Sequence, residues 1–213
     1  MNHIRNLIRT ISFPLMILVN IIFFSVVIFS MQTCPDFTPG MTMYSMLGVY
    51  GHNSRAILFN TALFMYTIIT AIFIAHIIRH WVSENATRKI RIILAIAAFF
   101  FCMAAIFPAD GQTAGEIHRL TVRTSCAILM LVMIWFGSRL IKSNTRLGVL
   151  NIGLFVGVIL AAVVFGMEPD TFGITETVGF AAVLLWEIVM GYGKLKSIKN
   201  PLAFRFFHPS QSS

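Results

Sequence analysis

From Arg88 to Leu120 the chain reads RKIRIILAIAAFFFCMAAIFPADGQTAGEIHRL. Basic residues open the stretch, the apolar run Ile92–Phe107 follows, and Phe107–His118 turns the chain toward a second apolar run. A helix that crosses hydrocarbon reads this way, with charge at one end and the turn residues Pro, Asp and Gly at the other. Phe107–His118 also gathers Asp110, Glu116 and His118, with Arg119 and Arg123 just beyond. No other stretch brings acid, imidazole and guanidinium so close together.

Outward from this stretch the same pattern repeats. Spans are expected at about 11–31, 56–78, 92–107, 120–140, 147–167 and 178–192. The expected fold is all-α: one domain, a polytopic membrane bundle of six transmembrane helices. Composition agrees. The 213 residues are 57% hydrophobic and only 11% charged, against roughly 25% charged in soluble domains. Mean hydropathy is +0.83. A soluble globule of this composition would expose far too much apolar surface.

The net charge of +8 is a topology signal. Of the 16 Lys and Arg, all but Arg55, Arg119 and Arg123 lie in the N-terminal tail, the second and fourth connections, or the C-terminal tail. Basic residues mark cytoplasmic ends, so both termini are expected in the cytoplasm, in a bacterial cytoplasmic (inner) membrane, with an attraction to anionic lipid. No basic-aromatic patch or nucleic-acid motif is present, which excludes a nucleic-acid partner. The first run is too long for a signal peptide and ends in SMQTC, so an uncleaved span is expected. Pro14 is expected in its first turn, where a missing N–H is tolerated. Cys34, Cys102 and Cys126 have no metal spacing.

Several positions inside or between the spans stand out. Asn20 and Asn60 are polar groups suited to bonding a neighbouring helix. The loop piece MTMYSMLGVY is too short to span and is expected at the interface or folded back over the bundle. Gly153, Gly157 and Ala161 form a small-xxx-small face for packing inside the bundle or for a homo-oligomer. Glu187 is an acid within a span and is expected to face the interior or to snorkel toward Lys194. His76 and His80 have metal-like i, i+4 spacing, but no partner histidines for a haem lie at similar depth, and no cofactor is expected.

Two motifs, MYSMLG (Met43–Gly48) ahead of RAILFNTAL (Arg55–Leu63) and IFPADGQTAGEIH (Ile106–His118), resemble the six-span family catalogued as domain of unknown function 998. That family is similar in plan to the eukaryotic damage-regulated autophagy modulator group. The resemblance implies a Ser-x-x-Gly segment, an early Asn in span two and a Phe-Pro-x-Asp…His segment, here Ser45, Gly48, Asn60, Phe107, Pro108, Asp110 and His118. Met46 stands where the family has an acid. The resemblance implies fold more than activity.

Three functions are open on this sequence. The first is binding of a membrane lipid or small amphiphile in an outer-side pocket, with Arg55, Arg119, Arg123 and His52 as ligand-binding residues; two guanidiniums on one helix face can clamp a phosphate. The second is an intramembrane lipid hydrolase or transferase. In it Asp110 orients His118 as a base and Ser45 is the nucleophile. Against it stands a structural reading in which Asp110 caps span four and His118 bonds a carbonyl. Alternatively, Asp110, His118 and His52 are three ligands that would hold a zinc ion with an open fourth position, although the favoured readings need no metal. The third is a proton-coupled carrier using Glu187.

Overall fold

The computed structural model describes residues 2–35, 37–109, 111–165 and 172–199, with side-chain surroundings between Ser12 and Lys194. Six helices follow in order: α1 (Asn2–Met31), α2 (Ala56–Trp81), α3 (Glu84–Ile106), α4 (Gln112–Ile141), α5 (Thr145–Phe165) and α6 (Phe172–Lys199). There is no strand among the described residues. Each of the six carries a segment long and apolar enough to cross a membrane. The chain is therefore an all-α integral membrane protein.

The helices outrun the apolar segments that predict them. Apolar length reports the part that lies in hydrocarbon, whereas a helix continues through any residues that tolerate it. α3 starts at Glu84, well before Ile92, because Asn-Ala-Thr-Arg-Lys is helix-compatible. α1 begins at Asn2, which places Pro14 inside the helix and not in its first turn. The connection between α3 and α4 shrinks to a few residues, so His118, Arg119 and Arg123 all lie on α4. Gly111 ends that connection at φ +66 and ψ 176, a conformation that belongs to glycine. α5 opens on Asn144, whose Oδ1 accepts from the Leu147 N–H at 3.1 Å as an N-cap.

Each helix packs against the next, and α6 closes the bundle against α1 and α2. The interior is built on Trp186, Phe136, Ile77, Ile78, Leu140 and Met133. Large apolar side chains also cover the outside: Ile57, Leu131 and Leu120 are 66–70% exposed. Such a surface suits lipid and would be a liability in water.

Close helix approach falls on other glycines than the expected ones. A Cβ on Gly148 of α5 would lie 2.6 Å from the Ile141 backbone nitrogen and 2.9 Å from the Gly137 carbonyl of α4. A Cβ on Gly137 would lie 2.6 Å from Asn151 Nδ2. Gly153 and Gly157 have open space in the same position and are exposed. The small-residue face of α5 therefore points outward and does not pack within the bundle.

This contrast makes a prediction. Gly148→Ala must push two backbones apart and should lower stability by about 1–3 kcal/mol. Gly153→Ala should be neutral or slightly stabilising, since alanine is the better helix former by about 1 kcal/mol. Thermal unfolding of the purified variants in detergent checks both.

Candidate functional site

Three places hold polar chemistry: the end of the bundle covered by the 32–55 loop, a groove between α2 and α3, and a cluster at mid-depth. The loop does fold back over the bundle. A 3-10 turn, Tyr44–Gly48, buries Leu47 and Gly48, and Val49 is buried beside it. Asn53 holds this arrangement. Its Nδ2 donates to the Leu47 carbonyl at 2.8 Å and to the Ser30 carbonyl at 3.4 Å. Its Oδ1 accepts from Thr33 Oγ1 at 2.8 Å and from the Arg55 N–H at 2.9 Å. One buried amide thus ties the end of α1, the 3-10 turn and the start of α2. Asn60 on α2 donates from Nδ2 to the Gly48 carbonyl at 3.0 Å, and a Cβ on Gly48 would collide with the Asn60 side chain.

Glu176 closes the other side. Glu176 falls before the sixth span expected at 178–192, yet it lies on α6, and its carboxylate accepts from the backbone N–H of Tyr44 and of Ser45. A carboxylate at the N-terminal end of a helical turn satisfies donors that have no helical partner. Gly173 allows the contact, because a Cβ there would lie 2.5 Å from the Thr42 carbonyl.

The predicted site residues take separate places in this frame. Ser45 sits in the 3-10 turn against α6. His118 is buried on α4, with Nδ1 3.0 Å from the Ala104 carbonyl and 2.9 Å from the Phe107 carbonyl. A ring nitrogen between two acceptors carries the proton, so Nδ1–H caps the end of α3. This matches the carbonyl-bonding reading of His118. No hydrogen bond among the described residues joins Ser45 to His118. Asp110 lies outside the described residues. Arg55 donates from Nη1 to the Phe29 carbonyl at 2.7 Å and stacks 3.2 Å over the Phe29 ring. Arg119, Arg123 and His52 are exposed. No group of three or more His, Cys, Asp or Glu positioned to hold a metal occurs among the described residues.

The groove lies elsewhere. About 750 Å³ opens between α2 and α3, with Ile68 and Ile72 on one wall and Phe99 and Ile106 on the other. Small side chains make the room: Ala71 and Ala75 on α2 face Ala95, Ala98 and Cys102 on α3. Arg79, Arg91 and His76 stand at its basic end. None of Ser45, His52, Arg55, His118, Arg119 or Arg123 lines it. The signal for this groove, alanines at helical spacing on two consecutive spans, was present in the sequence.

At mid-depth, Glu187 on α6 is 1% exposed and accepts from Asn20 Nδ2 at 2.8 Å. It faces the interior of the bundle. Tyr66 Oη donates to Asn20 Oδ1 at 3.1 Å, which brings α2 into the same cluster.

The family model described as protein of unknown function, DUF998, matches residues 17–193. The chain belongs to that family. No curated protein and no solved structure matches it. The matched region spans all six helices, so the bundle is the DUF998 unit. Two of the positions that the resemblance to DUF998 picks out, Gly48 and Asn60, are partners in one hydrogen bond, and a third, His118, caps α3. Their geometry is that of a scaffold. Asn151, Tyr66 and Thr70 carry no signal in sequence, and Asn53 and Glu176 read there only as polar loop residues, because a single polar residue acquires meaning only from what it touches.

Asn53→Ala should lower stability by about 1–3 kcal/mol, since it strands the buried Leu47 carbonyl. His52→Ala, one residue away and exposed, should stay within about 0.5 kcal/mol of wild type. Unfolding midpoints in detergent check the pair.

Proposed function

We propose that this DUF998 protein binds a membrane lipid without chemistry, with an acyl chain in the α2–α3 groove and an anionic phosphate head group at Arg79 and Arg91. The observation that carries this reading is the groove itself, apolar along its length and basic at one end. From Arg91 to Ile106 it follows α3 for about 22 Å at the helical rise, the scale of an extended acyl chain. Its walls are open to the bilayer, as Ile72, Phe99 and Ile106 are each more than half exposed.

Arg79 pairs with Glu84 at 3.3 Å, with the two side chains 45% and 80% exposed. Exposed pairs of this kind contribute roughly 0–1 kcal/mol, so a phosphate can compete for the guanidinium. Arg91 is exposed at the same end. We place that end in the cytoplasm, on the distribution of basic residues, and the lipid in the inner leaflet of a bacterial cytoplasmic membrane. The pocket expected under the outer loop gives way to this groove because the loop packs its apolar residues, Leu47 and Val49, into the bundle.

Native mass spectrometry after exchange into mixed anionic and zwitterionic nanodiscs tests the reading. Ala98→Phe should fill the groove and remove retained lipid. Arg91→Gln should lower the preference for anionic lipid about fivefold, the equivalent of about 1 kcal/mol for one basic side chain. Arg119→Gln/Arg123→Gln should change neither. Loss of lipid in that double variant, with retention in Ala98→Phe, would move the site back to the loop end.

A further inference from the structure

The exposed side of α4 carries two arginines that neither the groove nor the buried amides use. Arg119 and Arg123 are one turn apart, on a stripe shared with the exposed Leu120 and Leu131. Among the described residues no hydrogen bond or ion pair holds either guanidinium.

Depth sets Arg123 apart. α4 begins at Gln112, so Arg123 lies about 16 Å along it, some three turns in. The next charge along the helix is Arg139, in the last turn. Residues 124–138 between them carry none, about 22 Å of helix. Side chains on a helix lean toward its N-terminus. Arg123 thus reaches back toward the level of Arg119 and the nearer surface. Arg139 leans into the span, and its guanidinium sits 5.5 Å from the centroid of the Trp135 ring. With Arg123 fully extended, the two charges lie at the levels of residues 119 and 135, about 24 Å apart along the axis. The hydrocarbon core of an ordinary bilayer is about 30 Å thick. Tilt of α4 would only shorten the separation across the membrane.

α3, which packs against α4, is short in the same way. Its uncharged helical segment runs over 92–106, about 22 Å, from the exposed Arg91 to the helix end at Ile106. Arg91 leans away from the span, so α3 sets a looser limit than α4. Elsewhere the segments without Lys, Arg, Asp or Glu are longer. Ser12–Met31 of α1 is about 30 Å, 56–78 of α2 about 34 Å and 147–165 of α5 about 28 Å. The apolar belt is low on the α3–α4 side and of full height on α1, α2 and α5.

We infer that the α3–α4 face is built for thin hydrocarbon: it draws in the bilayer beside it by roughly 6 Å from the ordinary thickness, with Arg123 and Arg139 setting its height. The partner that fits this surface is lipid with short acyl chains, since a span shorter than the bilayer is accommodated by thinning it. The face needs no lipid in the α2–α3 groove, so the two readings fail separately.

The test places the full chain in nanodiscs of monounsaturated phosphatidylcholines that differ only in acyl-chain length. The thermal unfolding midpoint is read across the series, and its maximum marks the chain length that fits. Arg123→Leu extends the uncharged run of α4 back to Leu120, adding about 6 Å. It should move the maximum to chains a few carbons longer than wild type prefers. Arg123→Lys, which keeps the charge at that depth, and Arg119→Leu, which lies outside the run, should leave the maximum in place. The same maximum for wild type and Arg123→Leu overturns the inference, because the guanidinium then reaches the surface by its own length and the bilayer does not yield. Wild type also decides without any variant that folds. Its maximum should fall at chains shorter than those of a bilayer with a core of about 30 Å, and a maximum at or above that length overturns the inference as well.

Discussion

Four buried asparagine side chains decide which helices of this bundle touch. Lipid tails are as apolar as leucine, so apolar contact does little to choose one helix neighbour over another in a membrane. Amides do choose. Asn20 joins α1 to α2 and α6, Asn53 joins the ends of α1 and α2 through the 3-10 turn, and Asn60 pins that turn to α2. Asn151 on α5 donates to the Met133 carbonyl of α4 at 2.5 Å and accepts from Trp186 Nε1 of α6 at 2.6 Å. Asn20, Asn53 and Asn151 each have both ends of the amide engaged, as a group buried away from water must.

Small residues then set how close the helices come. At Gly137 and Gly148 they let α4 and α5 meet backbone to backbone. At Ala71, Ala75, Ala95 and Ala98 the same smallness leaves α2 and α3 apart and opens the groove. Asn151 ties α4 to α5, whereas none of the four amides bridges α2 and α3, so the groove lies at a seam between a tied α2 and its neighbour. A lipid chain in it would cover apolar walls without disturbing the ties that keep the bundle closed.

Much of this was legible in the sequence. The six spans follow from apolar length alone, and the 32–55 loop was readable as folding back because its apolar piece is too short to cross. The helix ends were not, because hydropathy measures hydrocarbon and not helix; α4 swallowed the stretch that had read as a catalytic loop. The chemistry reads two ways in the same place. His118 among Asp110, Glu116 and two arginines reads either as a base with its orienter or as a ring bonded to a carbonyl, and α4 turns its Nδ1 to the carbonyls of Ala104 and Phe107. Glu187 read correctly as interior because an acid in a span has few other stable places. Its partners did not, since Tyr66 and Thr70 are unremarkable one at a time.

The claim that amides specify the helix contacts is tested most directly by a double-mutant cycle on Asn151 and Trp186, with Asn151→Leu, Trp186→Phe and the pair, read as unfolding free energies in detergent. The account predicts a favourable coupling of about 0.5–1.7 kcal/mol, the range for side-chain hydrogen bonds between membrane helices. Additive effects of the two substitutions would contradict it and return the choice of neighbours to apolar packing.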